Sequence, residues 1–508
     1  MRNGFRRVNC IFHALGNLLQ ILGLILLFPL ITAFVYWGRM GDGKPTASAF
    51  VIASAVAFLI GRIFRYKFKS QPLDITGSML ICALGWLLAS AIGALPFVLV
   101  LNSNFLDAFF EAMSGFTTTG ITVFSGLDAM PPSILFWRAL TQWVGGIGIL
   151  SFFLMIVSEG GGSHHMLGAE SHKISSGRPA PGLFNTLRIL WAIYAVFTLL
   201  AVIVLTLEGM PPFDAVCHSL TTLSTAGFSP HDSSIAYYRL SGHPNYRLIE
   251  YTIVFFMMLG GINFLVHYRV LHRDVKALWD NVEIRYWWKF IAAFTAVIVL
   301  ERLHRTGGFA ALFNRDTLFD LTDFEHAFRD TLFQVMSILT TTGFRTRDIG
   351  SDFFGAMARQ LFLVMMVVGG CVGSTSGGFK VLRVAILNRL MVRELFKLRT
   401  SGKASAALVI DKKTVPEDEI HRVSALFFTW MALILTGGAI TALLSSLGPL
   451  ESLSGMFSAV GNIGPCYISG PNMTAIHPVV KVTYILGMLA GRLEILPVLL
   501  LFSRKAWR

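Results

Sequence analysis

Uncharged, apolar positions follow one another almost without interruption through 21–37, 50–60, 192–207 and 425–444. Helices of about twenty such residues suit a bilayer whose hydrocarbon core is about 30 Å thick. Extended along the chain, this pattern predicts spans at roughly 11–37, 47–64, 75–101, 133–157, 184–207, 248–268, 287–303, 353–388, 422–447 and 478–502. The chain therefore reads as an all-α, multi-pass membrane protein. An even number of spans puts both termini on one side.

Between some spans lie shorter amphipathic segments, and they resemble one another. In register they read LDAFFEAMSGFTTTGI (106–121), FDAVCHSLTTLSTAGF (213–228), RDTLFQVMSILTTTGF (329–344) and LESLSGMFSAVGNIGP (450–465). Each has an acidic residue thirteen positions before a glycine: Asp107/Gly120, Asp214/Gly227, Asp330/Gly343 and Glu451/Gly464. This is a fourfold internal repeat of span, half-helix, glycine loop and span. The units are expected at 73–170, 171–285, 286–412 and 413–508, after an N-terminal pair of spans in 1–72. Two full crossings per unit make the repeat parallel, so every half-helix enters from the same side.

The acidic residue is expected to cap a helix of ten to twelve residues, roughly 15–18 Å long. That helix would end near mid-membrane with its partially negative C-terminus, where a cation is favoured. Exposed loop backbone is too costly in lipid, so the four loops must line a wet path and can meet on one axis. Rings of carbonyls, with the hydroxyls of Thr117–Thr119 and Thr340–Thr342, can replace the hydration shell of a large monovalent cation. Calcium or magnesium would demand carboxylates, and these loops hold none.

Composition and charge agree. Only 14% of the 508 residues are charged, and the net charge is +13. Twenty-eight of the 42 Lys and Arg fall in 2–7, 62–69, 158–188, 267–289, 380–422 and 503–508. These are the loops expected to stay cytoplasmic, together with both termini. No aromatic-basic interleaving suggests nucleic acid. The five cysteines are odd in number and unpaired in spacing, which implies neither a disulfide framework nor a zinc site. The basic, then apolar N-terminus lacks a clean cleavage site and reads as a first span starting inside.

The third unit's second span breaks its own pattern. Residues 352–388 would reach about 55 Å if wholly helical, yet five glycines, two serines and a threonine crowd 369–378. A non-helical loop is expected there, on the cytoplasmic side of the glycine loops and across any conduction path. Its counterpart in the fourth unit carries Arg492: Gly370 and Gly491 both lie 27 residues after their loop glycine. An arginine inside a span is a functional candidate. It can donate to carbonyls freed in 369–378, repel a cation, or snorkel and pair with Glu494. The glycines in 142–150 and 257–265 are expected to permit close packing or bending.

At FTTTG (116–120), STAGFS (224–229), TTTGF (340–344) and GNIGP (461–465) the chain resembles the Trk/Ktr/HKT superfamily of potassium transporters, in its Trk membrane-subunit branch. The resemblance runs from about residue 73 to the end, and the extra N-terminal pair of spans fits that branch. It implies a pseudo-fourfold pore in one polypeptide and potassium uptake across a bacterial inner membrane. It also implies a homodimer and a cytosolic nucleotide-binding regulatory subunit, with no organic cofactor in this chain. The filter residues it implies are Thr118, Thr119 and Gly120; Thr225, Ala226 and Gly227; Thr341, Thr342 and Gly343; Asn462, Ile463 and Gly464. The implied gate is Gly369, Gly370, Cys371, Gly373, Ser374, Thr375, Ser376, Gly377 and Gly378 with Arg492. The fourth loop departs from its sisters in Asn462-Ile463, which predicts an asymmetric ring. Arg345 and Arg347, close behind Gly343, are expected to point away and pair with Asp348 or Asp352.

Other chemistries fit poorly. GSTSGGFK (373–380) lacks the adjacent Gly-Lys-Ser/Thr of a phosphate loop, and neither HExxH nor GxSxG is present. His164, His165 and His172 sit in a Gly/Ser-rich stretch that reads as a solvated linker. A sodium- or proton-coupled carrier with alternating access would need mid-membrane carboxylates, for which Glu111 and Glu494 are the candidates.

Overall fold

The computed structural model describes residues 2–70, 74–146, 148, 183–306, 321–399 and 407–507. Among them the chain is helical, apart from turns, loops and one small antiparallel pairing of Val409–Ile410 with Lys413–Thr414. Among the described residues five helices are long and apolar enough to cross a membrane, or six if the pair Tyr246–Gly261 and Phe264–Leu271, bent by 102°, is one span. Of the expected spans, the break in 353–388 falls where the Gly/Ser run put it, and the bend within 248–268 is sharper than the bending its glycines were expected to permit. In the second and third units the second helix breaks where glycines fall, because glycine holds a helix poorly. Tyr246–Gly261 ends on Gly260-Gly261, and Ala356–Val368 ends at Gly369. In the fourth unit, Pro478–Arg492 is separated from Leu496–Leu501 by Leu493, Glu494 and Ile495, the last two at positive φ.

The four short segments are helices: Phe105–Phe116, Pro212–Leu223, Leu321–Leu339 and Pro449–Gly461. The third runs to 19 residues, longer than expected. Each packs on the second helix of the unit before it. Pro212–Leu223 lies on Pro132–Gly146, Leu321–Leu339 on Tyr246–Gly261, and Pro449–Gly461 on Ala356–Val368. Phe105–Phe116 closes the circle on Pro478–Arg492, the fourth unit's second helix. The N-terminal helices Arg2–Ile25 and Lys44–Lys67 pair with each other and lean on Ile75–Gly93 of the first unit.

Outward faces are apolar. On Leu183–Leu207, Val196, Leu199, Ile203 and Leu207 are exposed while Tyr194, Ala201 and Leu205 are buried. Contiguous exposed apolar surface of this kind fits lipid rather than water.

The expected acidic caps need correction. Only Glu451 caps its helix, accepting from Gly448 N at 2.9 Å. Asn104 caps the first helix instead. Asp107 takes Lys481 at 2.5 Å, Asp214 takes His231 at 3.0 Å, and Asp330 takes Arg239 at 3.1 Å. Asp330 is wholly buried, and a buried carboxylate without a partner is far costlier than an uncapped N–H.

Candidate functional site

All four short helices end in one motif. The N–H groups of Thr118, Thr225, Thr341 and Asn462 return three residues, to Gly115, Thr222, Ile338 and Ala459. The next residues, Thr119, Ala226, Thr342 and Ile463, return five, to Ser114, Thr221, Ser337 and Ser458. This paired return is a Schellman stop, whose turning residue must adopt the left-handed conformation. That residue has φ of 54, 50, 57 and 52° in the four loops. Threonine is β-branched and rarely found there, so three loops hold local strain of about 1–3 kcal/mol each. Asn462 is the residue type that tolerates the position best after glycine. The fourth loop thus departs in sequence and keeps the backbone of its sisters.

Two residues on, Gly120, Gly227, Gly343 and Gly464 also have positive φ, and the loops meet in a ring. A β-carbon on Gly120 would overlap the Ala226 carbonyl oxygen, one on Gly227 that of Thr342, and one on Gly343 that of Ile463. A β-carbon on Gly464 would lie 3.0 Å from the Thr119 carbonyl oxygen, which completes the circle. All four glycines line one cavity, whose lining includes none of residues 369–378.

Residues 369–380 are non-helical, between Ala356–Val368 and Val381–Arg399. Their backbone is paired with protein. Cys371 N donates to Gly261 O at 3.0 Å, Thr375 N to Gly260 O at 3.3 Å, and Gly373 O accepts from Phe264 N at 3.1 Å. The segment also touches the glycine loops directly. Gly377 N donates to Thr341 Oγ1 at 2.7 Å, and Thr225 Oγ1 donates to Thr375 Oγ1 at 3.2 Å. Arg492 reaches across to it: it donates to Thr375 O at 3.0 Å, Gly145 O at 2.6 Å and Gly146 O at 2.7 Å. Glu494 instead pairs with Arg383 at 2.6 Å.

The comparisons with known proteins fit this geometry. Residues 46–507 match the family model described as "TrkH: Cation transport protein". The chain belongs to the TrkH family. It is 31% identical to the Trk system potassium uptake protein TrkH of Salmonella typhimurium, over 98% of this chain and 99% of that one. Its identity to the protein of the same name in Escherichia coli is also 31%, with the same coverage. The crystal structure of the potassium transporter TrkH from Vibrio parahaemolyticus superposes with a TM-score of 0.82 at 29% identity, covering 99% and 100% of the two chains. These relatives are cation transporters and not enzymes.

Within this TrkH-family chain the arginines behind Gly343 do not behave as expected. Arg347 pairs with Asp330 and lies over the Phe353 ring at 4.5 Å. Arg345 donates to Asp232 O at 2.9 Å and lines the cavity shared by the four glycines. Asp348 accepts from Gly350 N, and Asp352 pairs with Arg359. The buried Asp330 outcompetes the exposed Asp352 for Arg347 because its charge has no water to lean on. Sequence reasoning also passed over Gln142 and the buried pair of Arg138 with Glu111, 2.8 Å apart. Their signal was a set of polar residues inside apolar helices, which must be partnered. His164, His165 and His172 lie outside the described residues.

His231, four residues past Gly227, lines the same cavity and clasps two acids. Its Nδ1 meets Asp128 at 2.6 Å, its Nε2 meets Asp214 at 3.0 Å, and its ring stacks on Tyr237. Burial works against the imidazolium, but the hydrogen bonds and charges of Asp214 and Asp128 outweigh it and hold its pKa above the ordinary value. A raised folded pKa gives stabilisation that is full below the unfolded value, about 6.5, and fades as pH rises through the folded one. The melting-temperature gap between wild type and His231→Gln in detergent should therefore be wider near pH 6 than near pH 9. Equal gaps would count against the clasp.

Proposed function

We propose that this chain is the membrane subunit of a potassium-uptake system, with the ring of glycine loops as its selectivity filter. The observation that carries the reading is the closed circle in which each loop's glycine abuts the next loop's carbonyl. Four backbone strands held this closely present oxygens and threonine hydroxyls to one axis, and the negative ends of four helices favour a cation there. The donor set is neutral, which suits a large monovalent ion. The relatives named for potassium uptake cover nearly the whole chain. The architecture proposed is four parallel span–half-helix–span units about a pseudo-fourfold pore, divided at 73–170, 171–285, 286–412 and 413–508. Two N-terminal spans in 1–72 complete it.

The segment 369–378 with Arg492 is the proposed gate. It hydrogen-bonds to two of the glycine loops without lining the cavity that the four glycines share, and a guanidinium holds it. The membrane is the bacterial inner membrane with both termini cytoplasmic, as the basic loops suggest. A homodimer and a cytosolic nucleotide-binding partner are the assembly we infer from the family resemblance.

Coupled symport is not adopted. The two carboxylates named above as candidates for a coupling ion are each paired with an arginine, Glu111 with Arg138 and Glu494 with Arg383. The test is rubidium influx in cells lacking potassium uptake, with sodium and proton gradients imposed in turn. Influx that follows the potassium electrochemical gradient alone is expected. No influx with the protein present in the membrane would refute the proposal.

A further inference from the structure

The four filter loops are not held in place by the same means. In the first, Thr117 Oγ1 and Thr119 Oγ1 share a hydrogen bond at 2.8 Å; in the third, Thr340 Oγ1 and Thr342 Oγ1 share one at 2.7 Å. Each bond ties the residue before the turn to the residue after it, so these loops brace themselves. The second loop cannot do so. Its corresponding residues are Ser224 and Ala226, and alanine has no hydroxyl to offer. Ser224 Oγ turns back to Leu220 O at 2.8 Å.

A side chain from the preceding unit occupies that role. Gln142, on Pro132–Gly146, is fully buried. Its Nε2 donates to Ala226 O at 2.7 Å, and its Oε1 accepts from Phe228 N at 2.9 Å. The two bonds straddle Gly227. They also fix which end of the amide is which, since the flipped group would face donor with donor and acceptor with acceptor. One turn earlier on the same helix face, Arg138 extends the hold. It donates to Ser229 O at 3.0 Å, lies 4.1 Å above the Phe228 ring, and is anchored by Glu111.

We propose that Gln142 is a selectivity-determining positioning residue: its side-chain amide replaces, from the neighbouring unit, the hydroxyl brace that Ala226 lacks. This rests on reading the ring as a potassium filter. The Ala226 carbonyl is the one that abuts Gly120, so releasing it loosens the contact between first and second loops as well. A filter discriminates by holding its oxygens at set positions, and a loosened quarter of the ring accepts a smaller ion more readily.

The test is the ratio of rubidium to sodium influx in cells lacking potassium uptake. Gln142→Met keeps the side chain's length and packing and removes both bonds, and it should lower the ratio about tenfold at unchanged membrane level. Adding Ala226→Thr to Gln142→Met gives the loop a hydroxyl of its own and should recover part of the loss. A purely structural role for Gln142 would lower protein level without moving the ratio. An unchanged ratio in Gln142→Met, with protein in the membrane, overturns the inference. If that variant does not reach the membrane, Gln142→Leu also removes both bonds; an unchanged ratio there overturns it equally. Wild type without rubidium influx would refute the filter reading itself. Gly343→Ser losing selectivity while Gln142→Met keeps it would refute only this inference.

Discussion

Gly343→Ser is expected to cut the preference for potassium over sodium by about tenfold while leaving the protein in the membrane. Two physical terms add. Gly343 has φ of +84°, and its added β-carbon would overlap the Ile463 carbonyl oxygen of the fourth loop. A residue with a β-carbon pays about 1–2 kcal/mol in the left-handed region, and the overlap must be relieved by moving the loop or its neighbour. Each kind of movement widens or skews the ring. About 1.4 kcal/mol lost from the difference between two ions is a factor of ten. Competition of sodium against rubidium influx measures it, and an unaltered ratio would contradict the assignment of Gly343 to the filter.

The second large effect concerns Arg492. Replacing it by alanine should raise basal rubidium influx about tenfold in the absence of any cytosolic partner. Its guanidinium joins Thr375 in the broken segment to Gly145 and Gly146 in the first unit. Hydrogen bonds from a charged donor contribute about 1.5–3 kcal/mol each, so their loss frees the segment to move if it is the gate proposed above. Removing a positive charge close to the proposed filter acts in the same direction. Arg492→Lys separates the two effects: it keeps the charge but cannot span three carbonyls with a planar fork. Intermediate influx is expected for lysine. A fall in influx for alanine, with normal membrane level, would make Arg492 a structural strut and not a latch.

Much of this was readable from residue pattern. Helices apolar on every face reveal a bilayer without any knowledge of contacts, because lipid asks only for hydrophobicity and length. The acidic-to-glycine spacing exposed the four related segments, and the Gly/Ser run at 369–378 located a non-helical stretch. The equivalence of Gly370 with Gly491 drew attention to Arg492 at a site where it does meet the broken segment. Where the reading went astray, the error was local logic applied to a long-range question. Asp107, Asp214 and Asp330 looked like helix caps because they stand near helix starts. In the fold they meet Lys481, His231 and Arg239, the first of them 374 residues distant. Arg347 was matched to the acids nearest in sequence, and it went to the one most deeply buried.

Membrane character, family and the four loop positions are therefore properties of the chain's order of residues. They depend on periodicity and on backbone conformations that glycine, asparagine and strained threonine impose locally. Which loop touches which, and what braces each, depends on the closing of the ring. Only there do Gln142 and Ala226, 84 residues apart, become partners. A buried amide or carboxylate takes whatever complementary group the packing delivers, since leaving it unpaired costs about 1–3 kcal/mol or more. No spacing along the chain specifies that choice.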